Sequence, residues 1–271
     1  MKFIFTLLAG ICLSVSTFAQ SETAAADTAV SPTSGSKGSS FIWYKKNTVK
    51  INLSSLTLNN YSLYYERMLT RKIAATVGVR YMPKTRLTET LLGKQILDQL
   101  DEEDNEDLQP LAASNTTITA GVRFYTGSRS GAKGFYAELY GRYGMFQLDY
   151  DYTFTTNGKE YDMVIKGKPN GFGGGLLLGG QFNLFKNMVV DIYIIGAHYG
   201  KMSGNIDGVS DLSTMTAEEK ADMESDINDI APKFNDKKIL EAKVDNNGVK
   251  GKLDGPFAGI RGLGLSIGWA F

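Results

Sequence analysis

Along most of this chain apolar side chains recur at every second position, the spacing of a pleated strand, which sends successive side chains to opposite faces. From Thr48 the stretch VKINLSSL sets Val49, Ile51 and Leu53 against Lys50, Asn52 and Ser54. YSLYYERML alternates Tyr61, Leu63 and Tyr65 with Ser62, Tyr64 and Glu66, and IAATVGVRYM alternates Ile73, Ala75, Val77, Val79 and Tyr81 with Ala74, Thr76, Gly78 and Arg80. The tight joins between these three predict an antiparallel meander. The alternation resumes in TTITAGVRFY, where Ile118, Val122 and Phe124 oppose Thr119 and Arg123, and in GFYAELYGRYG, where Phe135, Leu139 and Tyr143 oppose Glu138 and Arg142. A long arm through FQLDYDYTF reaches an Asn157-Gly158 hairpin, and an equally long glycine-rich arm returns to Leu184. After MVVDIYIIGAHYG and an insertion expected from about Lys201 to Gly255, the chain closes on Leu263, Leu265, Ile267, Trp269 and Phe271, alternating with Gly264, Ser266, Gly268 and Ala270.

These stretches make eight strands, and their connections sort by parity. The second, fourth and sixth are short; the third and seventh, near 83 to 115 and 201 to 255, are long and polar. Short turns at one end and long loops at the other, with one face of every strand apolar, predict an all-β, eight-stranded antiparallel up-and-down transmembrane β-barrel carrying short helices in its external loops. A soluble eight-stranded barrel or sandwich is the competing reading, but its outward face should be polar.

Composition changes this picture little. The chain has 271 residues, 30 Gly, 14 Tyr and 14 Phe, with 29 basic and 29 acidic side chains, so charge gives no support to nucleic-acid binding. Mean hydropathy is −0.17, and a barrel escapes such averages because only alternate residues face lipid. Residues 1–19 read as a secretory signal peptide: Lys2, an apolar span, then Thr17-Phe18-Ala19 as the cleavage site. Residues 20–46 read as a flexible linker and 47–271 as the barrel. Cys12, the sole cysteine, lies in the leader, so the exported chain is expected to hold no disulfide, thiolate metal site or cysteine nucleophile.

Two resemblances sharpen the expectation. The final stretch, ending in Trp269 and Phe271, resembles the C-terminal recognition strand of bacterial outer-membrane barrels, which implies Trp269 and Phe271 as an insertion signal read by the barrel-assembly machinery of a Gram-negative envelope. Lys50, Asn52, Leu53, Tyr65, Glu66 and Arg67 resemble the opening strands of Bacteroidota outer-membrane β-barrel domains, small OmpA/OmpX-like proteins. That resemblance implies location in the cell outer membrane among lipid and lipopolysaccharide; it names no activity.

If the apolar parity faces lipid, Lys50, Glu66, Arg80, Arg123, Glu138 and Arg142 point into a lumen just wide enough for side chains and are expected to form an ion-pair network. A packed network makes a plug; the alternative is a small gated, porin-like pore whose selectivity those charges set. His198, the only histidine, invites comparison with outer-membrane lipid-modifying enzymes, but no serine follows it at the expected spacing, which favours an interfacial aromatic-belt role. The acidic run Asp98 to Asp107 lacks the sixth-position glycine of a calcium loop, where Glu106 stands, and reads as a solvated loop with weak divalent attraction. Thr216-Ala217-Glu218-Glu219 is a capping box predicting a helix through about Ile227, and Asn246-Asn247-Gly248 predicts a hairpin. The expectation is a structural or surface-interaction protein with an extracellular ligand or partner bound by its loops, no catalysis, no cofactor and no metal.

Overall fold

The computed structural model describes residues 44–90, 111–127, 130–156, 158–230, 233–234 and 237–271. The expected leader, nearly all of the linker and the acidic run from Asp98 lie outside the described residues.

Eight segments carry the alternation into strands: β1 (Asn47–Asn52), β2 (Tyr61–Met68), β3 (Ile73–Arg86), β4 (Leu111–Tyr125), β5 (Gly134–Thr156), β6 (Lys159–Gly167), β7 (Asn170–Asn183) and β8 (Met188–Val209). A helix, α1 (Ala217–Ile230), follows, then a two-residue ladder of β9 (Lys233–Phe234) and β10 (Lys237–Lys238), and finally β11 (Leu240–Asp245), β12 (Gly248–Pro256), β13 (Gly259–Arg261) and β14 (Gly264–Ala270). All pairings are antiparallel. They run β1–β2–β3–β4–β5–β7–β8–β14 and return to β1, where Thr48 faces Ala270 and Asn52 faces Ser266, so the sheet closes into a ring. Closure removes the unpaired sheet edge that an open sheet would leave.

The expected sixth strand is one long arm interrupted at Lys168-Pro169. Proline has no N–H to give the ladder, yet Phe146 N–H still donates to the Pro169 carbonyl at 2.9 Å, and the register against β5 is the same on both sides, Leu148 facing Gly167 and Met145 facing Asn170. The expected insertion is shorter than its sequence bounds. β8 continues to Val209, and β12, β13 and β14 face it in one register, from Gly248 opposite Val209 to Trp269 opposite Met188. Only 210–247 lie outside that long hairpin.

Polarity reverses along the strands. Over the ring the outward side chains are apolar and exposed, among them Leu63, Val79, Ile118, Leu139, Leu176 and Leu265, while the inward ones are mostly polar, charged or tyrosine, with Met68, Ala74 and Leu177 packed among them. Above Met145 on β5 and Tyr199 on β8 the outward positions become Gln147, Asp151, Thr153, Lys201, Ser203, Asn205 and Asp207, all exposed. There the inward positions turn apolar: Tyr152, Met163, Leu240, Ala242 and Val249 form a buried cluster with Leu212, Met215, Met223 and Ile227. This cluster is the core of a cap over the end of the barrel that carries the long loops. Burial in it pushes the Tyr152 hydroxyl up to about 12, helped by Asp226 and Tyr150.

α1 forms where the capping box predicts it. Thr216 Oγ1 accepts from Glu219 N–H at 3.2 Å, and Glu219 accepts from Thr216 N–H at 2.8 Å. Met223 and Ile227, one turn apart, face the cap core. The same helix shields the free edge of β11: Asn228 accepts from Ala242 N–H at 2.7 Å and donates to its carbonyl at 3.0 Å, and Glu224 accepts from Val244 N–H at 3.0 Å.

Candidate functional site

Inside the ring the side chains stack in two tiers. The lower tier lies toward the short turns and is built by residues that alternation turns inward on β1, β2, β3, β4, β5, β7 and β8. Lys50 Nζ donates to Glu66 at 2.6 Å, Asp191 at 2.5 Å and Gln181 at 2.8 Å. Arg123 lies in the same tier, bonding Glu138 from Nε at 3.0 Å and Nη2 at 2.7 Å, and Asp191 from Nη1 at 2.7 Å. Tyr136 donates to Asp191 at 2.6 Å, Thr76 to Glu138 at 2.6 Å, and Tyr125 to Glu66. The Arg123 guanidinium lies 3.7 Å from the Tyr136 ring centre. Lys50 and Glu66 are 2% and 1% exposed, so these charges have left water, a loss that only mutual pairing and filled hydrogen-bond positions offset. The turn between β4 and β5 reaches under this tier, where Gln181 donates to the Ala132 carbonyl at 3.1 Å and Tyr44 packs on the aromatic cluster.

The upper tier has a different chemistry. Arg142 and Arg261 share it with Tyr64, Tyr140 and Tyr193, and the half-buried Arg80 lies close enough to act electrostatically on Tyr64 and Arg142. Arg261 Nη2 donates to the Tyr64 hydroxyl at 3.3 Å, Arg142 Nε donates to Thr119 at 3.2 Å, and Asn52 donates to the Tyr193 hydroxyl at 3.0 Å. No carboxylate of the described residues pairs with any of the three arginines. Glycine makes room for the rings: Gly78 lies opposite Tyr64 and Gly264 opposite Tyr193, and a Cβ at either would overlap the ring. Above this tier Phe257, 2% exposed, lies beside Gly144 and Gly171, with its ring 4.8 Å from that of His198 and 6.0 Å from that of Phe146.

Of the six charged residues read from the sequence as one network, Lys50, Glu66, Arg123 and Glu138 meet in the lower tier, while Arg80 and Arg142 belong to the upper one and make no ion pair among the described residues. Asp191, Gln181 and Arg261, outside those six, complete the tiers. His198 is inside, 5% exposed, with Nδ1 3.4 Å from the Tyr140 hydroxyl; it is not on the outer belt. The reason is a break in parity: Ile194 and Ile195 are both exposed, and the ladder with β7 shifts between Leu178 and Gly179. Ser203, on the outward face of β8, lies on the opposite side of the sheet from His198. Trp269 and Phe271 face outward, each 57% exposed. Among the described residues no cluster of His, Cys, Asp or Glu is arranged to hold a metal ion.

No protein-family profile matches the chain, and no curated protein sequence does. Among solved structures the chain is similar to Acinetobacter baumannii CarO, with 11% identity and a TM-score of 0.36 over 83% of this chain and 97% of that one.

Proposed function

We propose that this chain is an eight-stranded up-and-down barrel of a bacterial outer membrane, with its lumen closed by its own side chains, acting as a structural or surface-interaction protein through the cap and performing no catalysis. The observation that carries this reading is the reversal of polarity along single strands. β5 is apolar outward and charged inward from Phe135 to Met145, then polar outward and apolar inward from Gln147 to Phe154. Water on all sides would favour one polarity throughout; hydrocarbon around the ring and water around the cap favour the change. The outward face also grades along the axis. Phe124, Phe135, Phe182 and Trp269 lie near the short-turn end, Tyr61, Tyr81, Phe172 and Tyr199 lie near the cap, and aliphatic side chains fill the band between them. Two aromatic girdles about an aliphatic band suit the two interfaces of a bilayer.

In this reading the short turns face the periplasm, and the outward Lys84, Lys166, Lys201 and Lys250 lie at or above the level of lipopolysaccharide headgroups. Trp269 and Phe271 are the elements offered to the assembly machinery, and the cap meets an extracellular ligand or partner. The ion-paired lower tier and Phe257 support a plug over a pore. The separation of His198 from Ser203 weighs against a lipid-modifying enzyme.

The membrane assignment is tested with Trp269 as reporter. In a Trp43→Phe background the refolded protein has a single tryptophan, and lipids brominated along their acyl chains should quench most of its fluorescence. Emission unaffected by bromolipid in folded protein would remove the reading.

A further inference from the structure

The two tiers are unequal in charge. The lower holds three carboxylates against two cations; the upper holds three guanidiniums and no carboxylate among the described residues. Arg142 and Arg261 are 6% and 3% exposed. Guanidinium does not shed its proton in proteins, so neither group can escape the cost of burial by becoming neutral. Arg261 lies 4.9 Å from the Tyr193 ring centre and 5.6 Å from that of Tyr140, and Arg142 lies 5.8 Å from Tyr140. Such contacts are weaker than an ion pair in a dry site. Polar atoms of this tier are also left over: Arg80 Nε, Arg142 Nη2, Arg261 Nε and His198 Nε2 are buried without a hydrogen-bond partner. The Tyr64 and Tyr193 hydroxyls each accept a hydrogen bond, from Arg261 and Asn52, and among the described residues neither proton has an acceptor.

We propose that Arg80, Arg142 and Arg261 together hold a small inorganic oxyanion inside the barrel, with the hydroxyls of Tyr64 and Tyr193 as further donors. A guanidinium presents parallel N–H groups that match two oxygens of one anion, which selects phosphate or sulfate over a halide. Bounded by Phe257 above and the ion-paired tier below, the site takes a free ion and not a headgroup carrying acyl chains. Arg80, half-buried, is the least enclosed of the three arginines. The proposal goes beyond the surface role above and stands on the interior alone, whatever surrounds the barrel.

The test is calorimetric titration and thermal unfolding of the refolded full chain in detergent micelles at constant ionic strength, with inorganic phosphate, sulfate and chloride as probes. Phosphate or sulfate should bind saturably at one site per chain and raise the unfolding temperature. Arg142→Gln should weaken binding ~tenfold or more, and Arg142→Lys, which keeps the charge and loses the fork, should fall between. Lys250→Gln, on the outward face of the cap, should bind as the parent does. Should Arg142→Gln fail to fold, judged by the mobility of the unheated protein on gels, Arg142→Lys carries the comparison. Absence of saturable binding, equal affinity in the folded Arg142 variants, or saturation by chloride alone would each overturn the assignment.

Discussion

Asp191 is the residue on which the lower tier turns, since Lys50, Arg123 and Tyr136 all donate to it. Asp191→Asn keeps the shape and deletes the charge, leaving two buried cations to share Glu66 and Glu138. Each cation keeps a carboxylate, so no charge is left unpaired. What is lost is the charge of the acceptor, and a hydrogen bond to a charged group is worth about 1.5–3 kcal/mol, so urea unfolding in lipid vesicles should read a loss of at least about 1.5 kcal/mol. A loss below about 1 kcal/mol, the scale of an exposed pair, would mean that water enters the tier. Most of this tier is legible in the sequence: a charge between two outward apolar residues, as at Lys50 between Val49 and Ile51, can only point inward. Asp191, between Val190 and Ile192, and Gln181, beside Phe182, carry the same signal. Arg261 and His198 do not. β8 breaks parity at Ile194-Ile195 and the facing strand breaks at Gly262-Leu263, the same level of the ladder. Beyond such a break, simple alternation puts every side chain on the wrong face.

At the scale of elements, the cap solves the problem that the ring solves by closing. β11 pairs on one side only, with β12, and its other edge would offer free N–H and C=O groups to any passing strand. Asn228 and Glu224 occupy those groups. Asn228→Ala removes both bonds to Ala242, a loss of about 1–3 kcal/mol confined to the contact of α1 with β11. Amide exchange at Ala242 and Val244 should speed up while amides of β2 to β4 keep their protection; uniform acceleration through the ring would show instead that cap and barrel open together. The elements themselves follow from local chemistry. Capping box, Asn-Gly turns and period-two runs act over a few residues, so α1 and the hairpins stand where the sequence puts them. The association of α1 with β11 does not follow, because Asn228 bonds a backbone 14 residues away and side-chain type carries no record of that distance.

On the scale of the whole molecule, β5, the β6–β7 arm, β8 and the closing strands rise past the ring as one wall, and the cap fills its inward face. The sequence shows the tall arms but hides where the wall ends, since alternation continues across the boundary while its polarity exchanges sides. This arrangement predicts two units of unequal stability. Val209 already faces Gly248 across the ladder, so a tight turn joining them can replace 210–247 without moving β8 or β12. The ring, with its tiers and closed ladder, should survive the excision and keep its resistance to unfolding in unheated gels. The β5–β6 hairpin should not keep its protection, because Tyr152 and Met163 lose Met223, Ile227 and Leu212 from their inward face. Protease added outside reconstituted vesicles should then cut within 146–167 in the excised variant, leave those residues intact in the parent, and spare the barrel in both. Planar-bilayer recordings separate the two units further. With Phe257 held by Gly144, Gly171 and His198 below the excised segment, and the ion-paired tier beneath it, neither protein should pass a steady current. A current in the variant alone would move the seal from the barrel interior into the cap.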